Sequence, residues 1–199
     1  MNPAVDAWKA GSVHRDAAFK DLDLKGLELA DVELDACLFK DCSFAGATLR
    51  RLRLTDCLFE GCDLTAAKLT GSRLRSVSFK DCRAGGANWA AASALDELAF
   101  AHCLLDLGAF SGAKLPRLSL DDCRLRDADF SGADLRGAVL KACDMRGARF
   151  GGADLSGADL RGSFSYEIDP LAAKIKKARF SLPEAVSLLH GLGIILEDS

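Results

Sequence analysis

A five-residue repeat is the strongest constraint that this sequence places on its fold. From Ala128 to Leu140, a small residue, a polar residue, a large apolar residue and two small or polar residues recur in that order. A period of five fits neither the 3.6 residues of a helical turn nor the alternation of a straight strand. The chain must therefore turn once per unit and wind its large residues around a shared axis, as a solenoid does.

The repeat changes register once. Large apolar residues keep a spacing of five up to Trp89, and the same spacing resumes at Leu95, one residue out of step. One extra residue must therefore lie between residues 90 and 99. We predict a short surface loop there that contains Asp96 and Glu97, because loops on rigid scaffolds tolerate insertions and often carry function.

Phenylalanine recurs at every fourth unit, which predicts columns of stacked rings if each coil has four sides. The rings would then lie twenty residues apart along the axis. The two series are Phe19, Phe39, Phe59 and Phe79, and Phe110, Phe130 and Phe150.

The chain has eight cysteines, a number that by itself suggests a disulfide framework. Each cysteine, however, precedes a large-residue position by two, where alanine stands in other units. We therefore predict buried, reduced thiols that pack as small apolar side chains. A zinc site is the alternative, but the chain has no Cys-x-x-Cys pair, and we expect no metal or other cofactor. The cysteines are Cys37, Cys42, Cys57, Cys62, Cys82, Cys103, Cys123 and Cys143.

Charge and composition narrow the possible functions. The chain carries 26 Lys and Arg against 29 Asp and Glu, a formal net charge of −3, which argues against direct nucleic-acid binding. No apolar run has the length of a signal peptide or a membrane span, so we expect a cytoplasmic protein without membrane contact. The three histidines, His14, His102 and His190, are scattered, and no nucleophile with a base partner can be assembled. We therefore predict that the protein is not an enzyme.

The sequence divides into three parts. Residues 1–16 carry no repeat and are expected to cap the first coil, with Trp8 as a lid over the core. Residues 17–162 are the solenoid, and residues 163–199 form a C-terminal segment. The fold class is therefore an all-β solenoid with a small helical tail.

Helix signals appear in the C-terminal segment. Asp169 followed by Pro170 predicts a helix start, and Ser181 with Glu184 has the spacing of a capping box before a second helix. A short apolar strand is expected after that helix. The tail could merely cap the last coil, but it is larger than one lid requires, so we predict an isologous homodimer. The interface residues would be Leu182, Val186, Leu189, Leu192, Ile194, Ile195 and Leu196.

These residues resemble a known family. The repeat is similar to that of pentapeptide-repeat proteins, which form a right-handed quadrilateral β-helix. The stretches 81–89 and 187–194 resemble the quinolone-resistance (Qnr) proteins, and 178–185 with Leu188 and Leu189 resembles the albicidin-resistance protein AlbG. The resemblance implies a homodimer joined at its C-terminal ends, a rod that imitates duplex DNA in size and charge, and DNA gyrase as the partner.

The resemblance also implies a function for this protein, which is protection of gyrase from an antibiotic such as albicidin or a quinolone. Qnr proteins carry projecting loops that are associated with quinolone protection. Here the first loop is absent and the second is reduced to the register change at residues 90–99, which favours a natural product such as albicidin. The alternative function is a rigid scaffold that binds a protein other than a topoisomerase.

A DNA mimic needs carboxylates spaced along its rod. Aspartate is also a residue that the repeat itself favours, so each one has a structural explanation beside the functional one. A basic band at Lys68, Arg73, Arg75, Lys80 and Arg83 interrupts the acidic surface. In a dimer the C-terminal coils, which we expect to be acidic, would lie at the centre and receive the partner. The predicted partner-binding residues are Asp96, Glu97, Asp121, Asp122, Asp127, Asp129, Asp134, Asp154 and Asp159.

Overall fold

The computed structural model describes residues 8–195. In this range the chain forms a solenoid of short parallel strands, each three residues long. The strands are β1 (Val13–Arg15), β2 (Ala18–Lys20), β3 (Glu28–Ala30), β4 (Glu33–Asp35), β5 (Leu38–Lys40), β6 (Thr48–Arg50), β7 (Arg53–Thr55), β8 (Leu58–Glu60), β9 (Arg73–Arg75), β10 (Ser78–Lys80), β11 (Ala94–Asp96), β12 (Ala99–Ala101), β13 (Ser119–Asp121) and β14 (Val139–Lys141).

Each coil has four sides, which we number faces 1 to 4 in chain order. Face 1 stacks β1, β4, β7, β9 and β11, and face 2 stacks β2, β5, β8, β10, β12, β13 and β14. Face 4 begins with β3 and β6, and face 3 consists of single parallel bridges from Asp23 to Phe164. Paired residues are twenty apart, as at Leu34 and Leu54. The predicted quadrilateral β-helix is therefore confirmed.

The backbone at the corners of each coil explains why glycine and aspartate are frequent at one position of the repeat. From Asp16 to Gly162 every fifth residue has a positive φ, with a single exception near residue 91. A left-handed backbone favours glycine, asparagine and aspartate, which have small or locally hydrogen-bonding side chains. At Gly61 a side chain would also displace the Asp41 carboxylate, because a Cβ would lie 2.5 Å from Oδ1 of that residue in the coil before.

Two columns of stacked rings fill the core, as the spacing predicts. On face 2, successive centroids from Phe19 to Phe100 are 4.6–5.0 Å apart, and the rings are within 19° of parallel. On face 4, the column from Trp89 to Phe150 has centroids 4.6–5.9 Å apart. The aromatic core thus changes from one face to another part of the way along the rod.

Trp89 joins the two columns. Its ring is edge-on to Phe79, at 5.4 Å and 79°, and edge-on to Phe100, at 5.1 Å and 86°. Aromatic rings favour such T-shaped contacts over face-to-face ones. On the neighbouring face of the same coil, the inward residue is the small Ala84, which leaves room for the indole.

The register change is a one-residue bulge, as the extra residue requires, but it forms no surface loop. The N–H groups of both Ser93 and Ala94 donate to the carbonyl oxygen of Ser72, at 2.8 and 3.4 Å, so two residues face one in the neighbouring coil. Asp96 ends strand β11, and Glu97 is the corner residue after it. The predicted surface loop was therefore wrong, because backbone hydrogen bonds absorb the extra residue into the ladder.

All eight cysteines are buried and free, as the repeat predicts. Their thiols lie against backbone carbonyls of their own coil and of the coil before; Cys62 donates to Glu60 and Phe39, both at 3.5 Å. Burial raises the pKa of Cys57 to about 11. The Cys57 thiol therefore remains neutral, and all eight cysteines pack as small side chains in the core.

At the N-terminal end, Trp8 forms the predicted lid. It is 5% exposed, and its ring lies 5.0 Å from Phe19 and 5.8 Å from Phe39. The parallel ladder already begins at Val13, inside the segment that the sequence assigns to the cap. Residues 1–7 of the predicted cap lie outside the described residues.

At the C-terminal end, the solenoid extends past residue 162. Lys174 bridges to Asp154 and Arg179 to Asp159, so another coil follows. The helix predicted to begin at Asp169 was wrong. The Asp169 carboxylate instead accepts a hydrogen bond from the N–H of Leu171 at 2.8 Å and stabilises a turn, and the parallel ladder resumes at Lys174.

The capping box was also wrong. Ser181 Oγ accepts a hydrogen bond from the N–H of Gly162, and Glu184 Oε2 accepts one from Ser165, so both side chains bind the last coils. A 3₁₀ turn, Glu184–Val186, leads into helix α1, Ser187–Gly191. Neither Ile194 nor Ile195 lies in a strand, and Leu196 lies outside the described residues.

Candidate partner-binding surface

Several carboxylates that are predicted to contact a partner stabilise their own turn. Asp134 Oδ1 accepts a hydrogen bond from the N–H of Arg136 at 3.3 Å, and the Arg136 guanidinium binds the carboxylate at 2.7 and 2.8 Å. Asp159 and Arg161 repeat this geometry. Hydrogen bonding from the arginine lowers the pKa of both aspartates, because it favours the charged form. These aspartates are therefore part of the repeat's architecture.

Asp129 and Asp154 make the same turn bond but pair with a cation from another coil. The N–H of Ser131 donates to Asp129 at 2.9 Å and lowers the pKa of that carboxyl. The second oxygen of Asp129 lies 3.0 Å from Arg149, and Asp154 lies 3.7 Å from Lys174. Each of these exposed ion pairs is worth at most about 1 kcal/mol, so a partner's cation can compete for the carboxylate.

Three further carboxylates are paired near the bulge. Arg117 binds Asp96 at 2.9 Å and Glu97 at 2.5 Å. The ring nitrogen Nδ1 of His102 lies 3.0 Å from Oδ2 of Asp122, and the carboxylate accepts a hydrogen bond when that nitrogen carries a proton. Within residues 8–195, Asp121 and Asp127 form no ion pair, and both are exposed.

The structure does not gather the nine predicted residues on one surface. Asp134 and Asp154 are in register on face 1, as their spacing of twenty predicts. The remaining residues are distributed around the prism. Face 1 carries Asp96, Asp134 and Asp154, face 2 carries Asp121 and Asp159, face 4 carries Asp129, and Glu97, Asp122 and Asp127 lie at the corners after faces 1, 2 and 3.

Charge is arranged in belts along the axis. Residues 13–49, the N-terminal acidic belt, have eight Asp and Glu and four Lys and Arg. Residues 50–83, the basic belt, have four Asp and Glu and eight Lys and Arg. Residues 84–123, the central acidic belt, have five acidic and two basic residues. The ladder stacks these segments in chain order, so each belt occupies successive coils.

The C-terminal coils are not acidic, contrary to the expectation. Residues 124–162 carry six Asp and Glu against seven Lys and Arg. Three of these arginines, Arg136, Arg146 and Arg161, occupy turn positions two residues after an aspartate. The spacing Asp-x-Arg was a signal of this pairing in the sequence, and it accounts for much of the lost negative charge.

The C-terminal end exposes apolar side chains, which include most of the predicted dimer residues. Leu182 is 80% exposed and Ile195 is 85% exposed. Leu171, which the sequence reasoning missed, is 78% exposed at the same end of the chain. Leu196 falls outside the described residues. Of the other predicted residues, Leu192 and Ile194 are exposed, and Val186 and Leu189 are half-buried.

Residues 8–195 contain no group of three or more His, Cys, Asp or Glu with a geometry that could hold a metal ion. In the same range, no helix is long and apolar enough to cross a bilayer.

The repeat itself identifies the family. Family profiles match residues 32–94, as "Pentapeptide repeat region", and residues 109–141 and 123–162, as "Pentapeptide repeats (8 copies)". The chain belongs to the pentapeptide-repeat family. Comparison with curated protein sequences gives no significant match.

Solved structures of other pentapeptide-repeat proteins have the same fold. A trypsin-treated variant of QnrB1, a plasmid-mediated fluoroquinolone resistance protein, superposes with a TM-score of 0.70 at 24% identity, over 94% of this chain and 91% of that chain. Full-length QnrB1 gives 0.56 at 25% identity, over 93% and 92%. HetL, involved in heterocyst differentiation regulation in the cyanobacterium Nostoc sp. strain PCC 7120, gives 0.62 at 20% identity, over 88% of each chain.

Proposed function

We propose that this pentapeptide-repeat protein binds DNA gyrase, a type II topoisomerase, and protects it from a gyrase-directed antibiotic. The observation that carries the proposal is the match to QnrB1 over nearly the whole chain, together with the Qnr-like and AlbG-like motifs at residues 81–89 and 178–194. In this proposal the protein acts in the cytoplasm as a non-enzymatic binding module. It contacts gyrase in place of DNA and does not itself bind nucleic acid.

The central acidic belt is the best contact region for a basic DNA-binding surface. Four of the nine candidate carboxylates lie there, and Asp121 has no ion pair among the described residues. Asp96, Glu97 and Asp122 have partners that are half-exposed or more, which a gyrase lysine or arginine can replace. Because recognition rests on few charges, we expect moderate affinity and a modest dependence on salt.

The missing loops favour a natural product over quinolones as the antibiotic. Between residues 8 and 195 the one register change is the bulge at Ser93, which does not project from the rod. Quinolone protection, which the resemblance associates with projecting loops, is therefore the weaker option. Albicidin or a compound of similar action is the better candidate.

A supercoiling assay with purified gyrase tests the proposal. The protein should restore supercoiling in the presence of albicidin, and pull-down of gyrase should weaken between about 50 and 300 mM salt. The double variant Asp121→Asn/Asp122→Asn should reduce both effects. The control Asp16→Asn/Asp56→Asn removes the same charge at distant corners and should leave them unchanged. Absence of gyrase binding by the parent protein would exclude the proposal.

We also propose that the exposed apolar C-terminal end forms a homodimer interface. Leu182 is 80% exposed and Ile195 is 85% exposed. Apolar side chains that are this exposed at one end of a molecule are typical of an interaction surface. Size-exclusion chromatography with light scattering should find a dimer that Leu182→Glu/Ile195→Glu converts to a monomer. Leu107→Glu, a change at a 66% exposed leucine on the rod, is the control that should remain dimeric.

The second candidate function is a rigid scaffold for a protein other than a topoisomerase. The structural similarity to HetL favours this second function, since HetL is involved in the regulation of heterocyst differentiation. Capture of a single non-topoisomerase partner, with no effect on gyrase, would favour this function over the first.

A further inference from the structure

The proposed gyrase contact does not use the basic belt, yet half of the cations of this belt lack ion-pair partners within residues 8–195. Arg50, Arg51, Arg53 and Arg83 each pair with a carboxylate one coil earlier. Within residues 8–195, no ion pair is formed by Lys68, Arg73, Arg75 or Lys80.

Two arginines of this belt face each other in register. Strand pairing places Arg73 directly beside Arg53 on face 1, about 4.8 Å apart along the axis. Like charges at directly opposed positions destabilise a ladder. Arg53 is only loosely paired with Glu33, at 3.8 Å, and the neighbour of Arg73 in the next coil is the uncharged Ala94. The repulsion between these guanidinium groups is therefore only partly relieved, by Glu33 beside Arg53.

The same arginines line a groove of about 530 Å³ along face 1 and its corner with face 4. Gly11 and Gly71 have no side chains to fill it, and Arg51 lies between them with its guanidinium fixed by Asp31 at 2.5 and 2.7 Å. Hydrogen bonding from Arg51 lowers the pKa of Asp31, so this pair stays charged at neutral pH. Three guanidinium groups thus share the groove with two carboxylates, those of Asp31 and Glu33.

A second depression, of about 470 Å³, continues from the first at Ser93, which lines both. Its walls are mostly small and apolar, with Lys114 and Asp96 at its edge. The bulge creates this surface, because it inserts an extra small residue beside the alanines of the same coil. The apolar lining residues are Ala90, Ala92, Ala94, Leu95, Ala113 and Pro116.

We propose that this groove binds a small organic oxyanion, with its phosphate or carboxylate on Arg53 and Arg73 and its apolar body on the alanine surface beyond Ser93. An arginine fork matches either oxyanion, and the combined volume is that of a small-molecule site. A long polyanion such as DNA is disfavoured, because the basic belt is flanked by acidic belts on both sides.

Calorimetric titration with phenyl phosphate, benzoate and inorganic phosphate tests this site. Phenyl phosphate or benzoate should bind at least about tenfold more tightly than inorganic phosphate, because the ring buries apolar surface. The stronger of the two identifies the preferred head group. Equal binding of all three would overturn the apolar part of the proposal, and binding of none would overturn the whole of it.

Two variants with matched controls locate the site. Arg73→Gln should weaken binding about tenfold, whereas Arg75→Gln, which removes the same charge two residues along β9, should change it less than about twofold. Ala94→Asp places a carboxylate in register with Arg73 and should abolish binding, whereas Ala101→Asp on face 2 should not. Equal effects of Arg73→Gln and Arg75→Gln would show that the net positive charge of the belt attracts the anion without a specific site. Tighter binding of a 12-mer DNA than of phenyl phosphate or benzoate would show a nucleic-acid surface. Either result would overturn the proposal.

Discussion

The N-terminal and C-terminal coils reach the same four-sided prism by different means. From Phe19 to Phe100 the aromatic column lies on face 2, and ion pairs join successive coils, as between Arg51 and Asp31. From Trp89 to Phe150 a second column lies on face 4, and pairs within a single turn, such as Asp134 with Arg136, are added to the pairs between coils. Both halves therefore share the backbone ladder, whereas the side chains that fill the core and the ion pairs that neutralise charge differ from one half to the other.

The two halves meet at one coil. Trp89 touches both aromatic columns, Ser93 adds the bulge, and the corner near residue 91 is the exception in the series of left-handed corners. A bulge absorbs the one-residue mismatch without breaking the parallel ladder. Perturbations at this junction should therefore affect the coupling of the halves, and those elsewhere only one half.

The largest effect is expected for Trp89→Ala. Removal of a fully buried indole should cost about 3–5 kcal/mol, and should also uncouple the two columns. Urea unfolding followed by circular dichroism should then show a broadened or two-step transition. Phe150→Ala, at the end of one column, is the control, and its transition should remain single. A single sharp transition for Trp89→Ala would mean that the backbone ladder alone couples the halves.

A smaller effect is expected when the bulge residue is deleted. Removal of Ser93 restores the spacing of twenty found in other coils, so the protein should fold with a loss of about 1–2 kcal/mol. Deletion of Ser131 from a regular unit should prevent folding, because it shifts inward residues to the outside. Comparable loss in both deletions, measured by thermal melting, would contradict the assignment of Ser93 as the extra residue.

The glycine corners should respond alike in the two halves. Gly61 lies against Asp41 and Gly147 against Asp127, and a Cβ at either position would meet the carboxylate. Gly61→Ala and Gly147→Ala should each cost about 1–3 kcal/mol, more than Gly137→Ala, where backbone strain is the only penalty. Chemical denaturation of the three variants measures this order. An equal cost at all three positions would show that contact with the aspartate is unimportant.

The smallest effect concerns pH. The folded pKa of Asp134 and Asp159 is below the ordinary value of 3.8, so their stabilisation is complete above about pH 4 and is lost as pH falls through the folded pKa. Each should contribute less than about 1 kcal/mol. Thermal midpoints of Asp134→Asn/Asp159→Asn and the parent protein should differ at pH 7, and the difference should shrink as the pH falls from 4 towards 2. A constant difference across this range would exclude the charge effect.

Much of the fold was readable because the repeat is periodic. The inward positions of Phe59, Leu135 and the cysteines follow from one spacing rule, and each is buried as expected. The helix signal at Asp169 failed because the parallel ladder resumes at Lys174 and Arg179, whereas the second predicted helix is present as Ser187–Gly191. Asp169 and Ser181 can cap a helix or a turn, and the open apolar end of the last coil decided between these uses.

The candidate surface was much less predictable. The sequence named nine carboxylates and carried the Asp-x-Arg spacing of Arg136 and Arg161, but it could not show the side-chain geometry by which these two arginines and Arg149 neutralise three of them. Those contacts depend on side-chain geometry across a turn or between coils. The groove at Arg53 and Arg73 was invisible for the same reason, because the residues that line it are up to about eighty positions apart.

From the amino-acid sequence follows a chain that coils in four-sided turns. A large apolar side chain at every fifth position is kept out of water only if the backbone turns once in each unit. Tertiary structure alone decided how the extra residue is absorbed, where the coil ends and which charges remain exposed. These outcomes arise from contacts between coils, and the energies that separate the alternatives are only about 1 kcal/mol each.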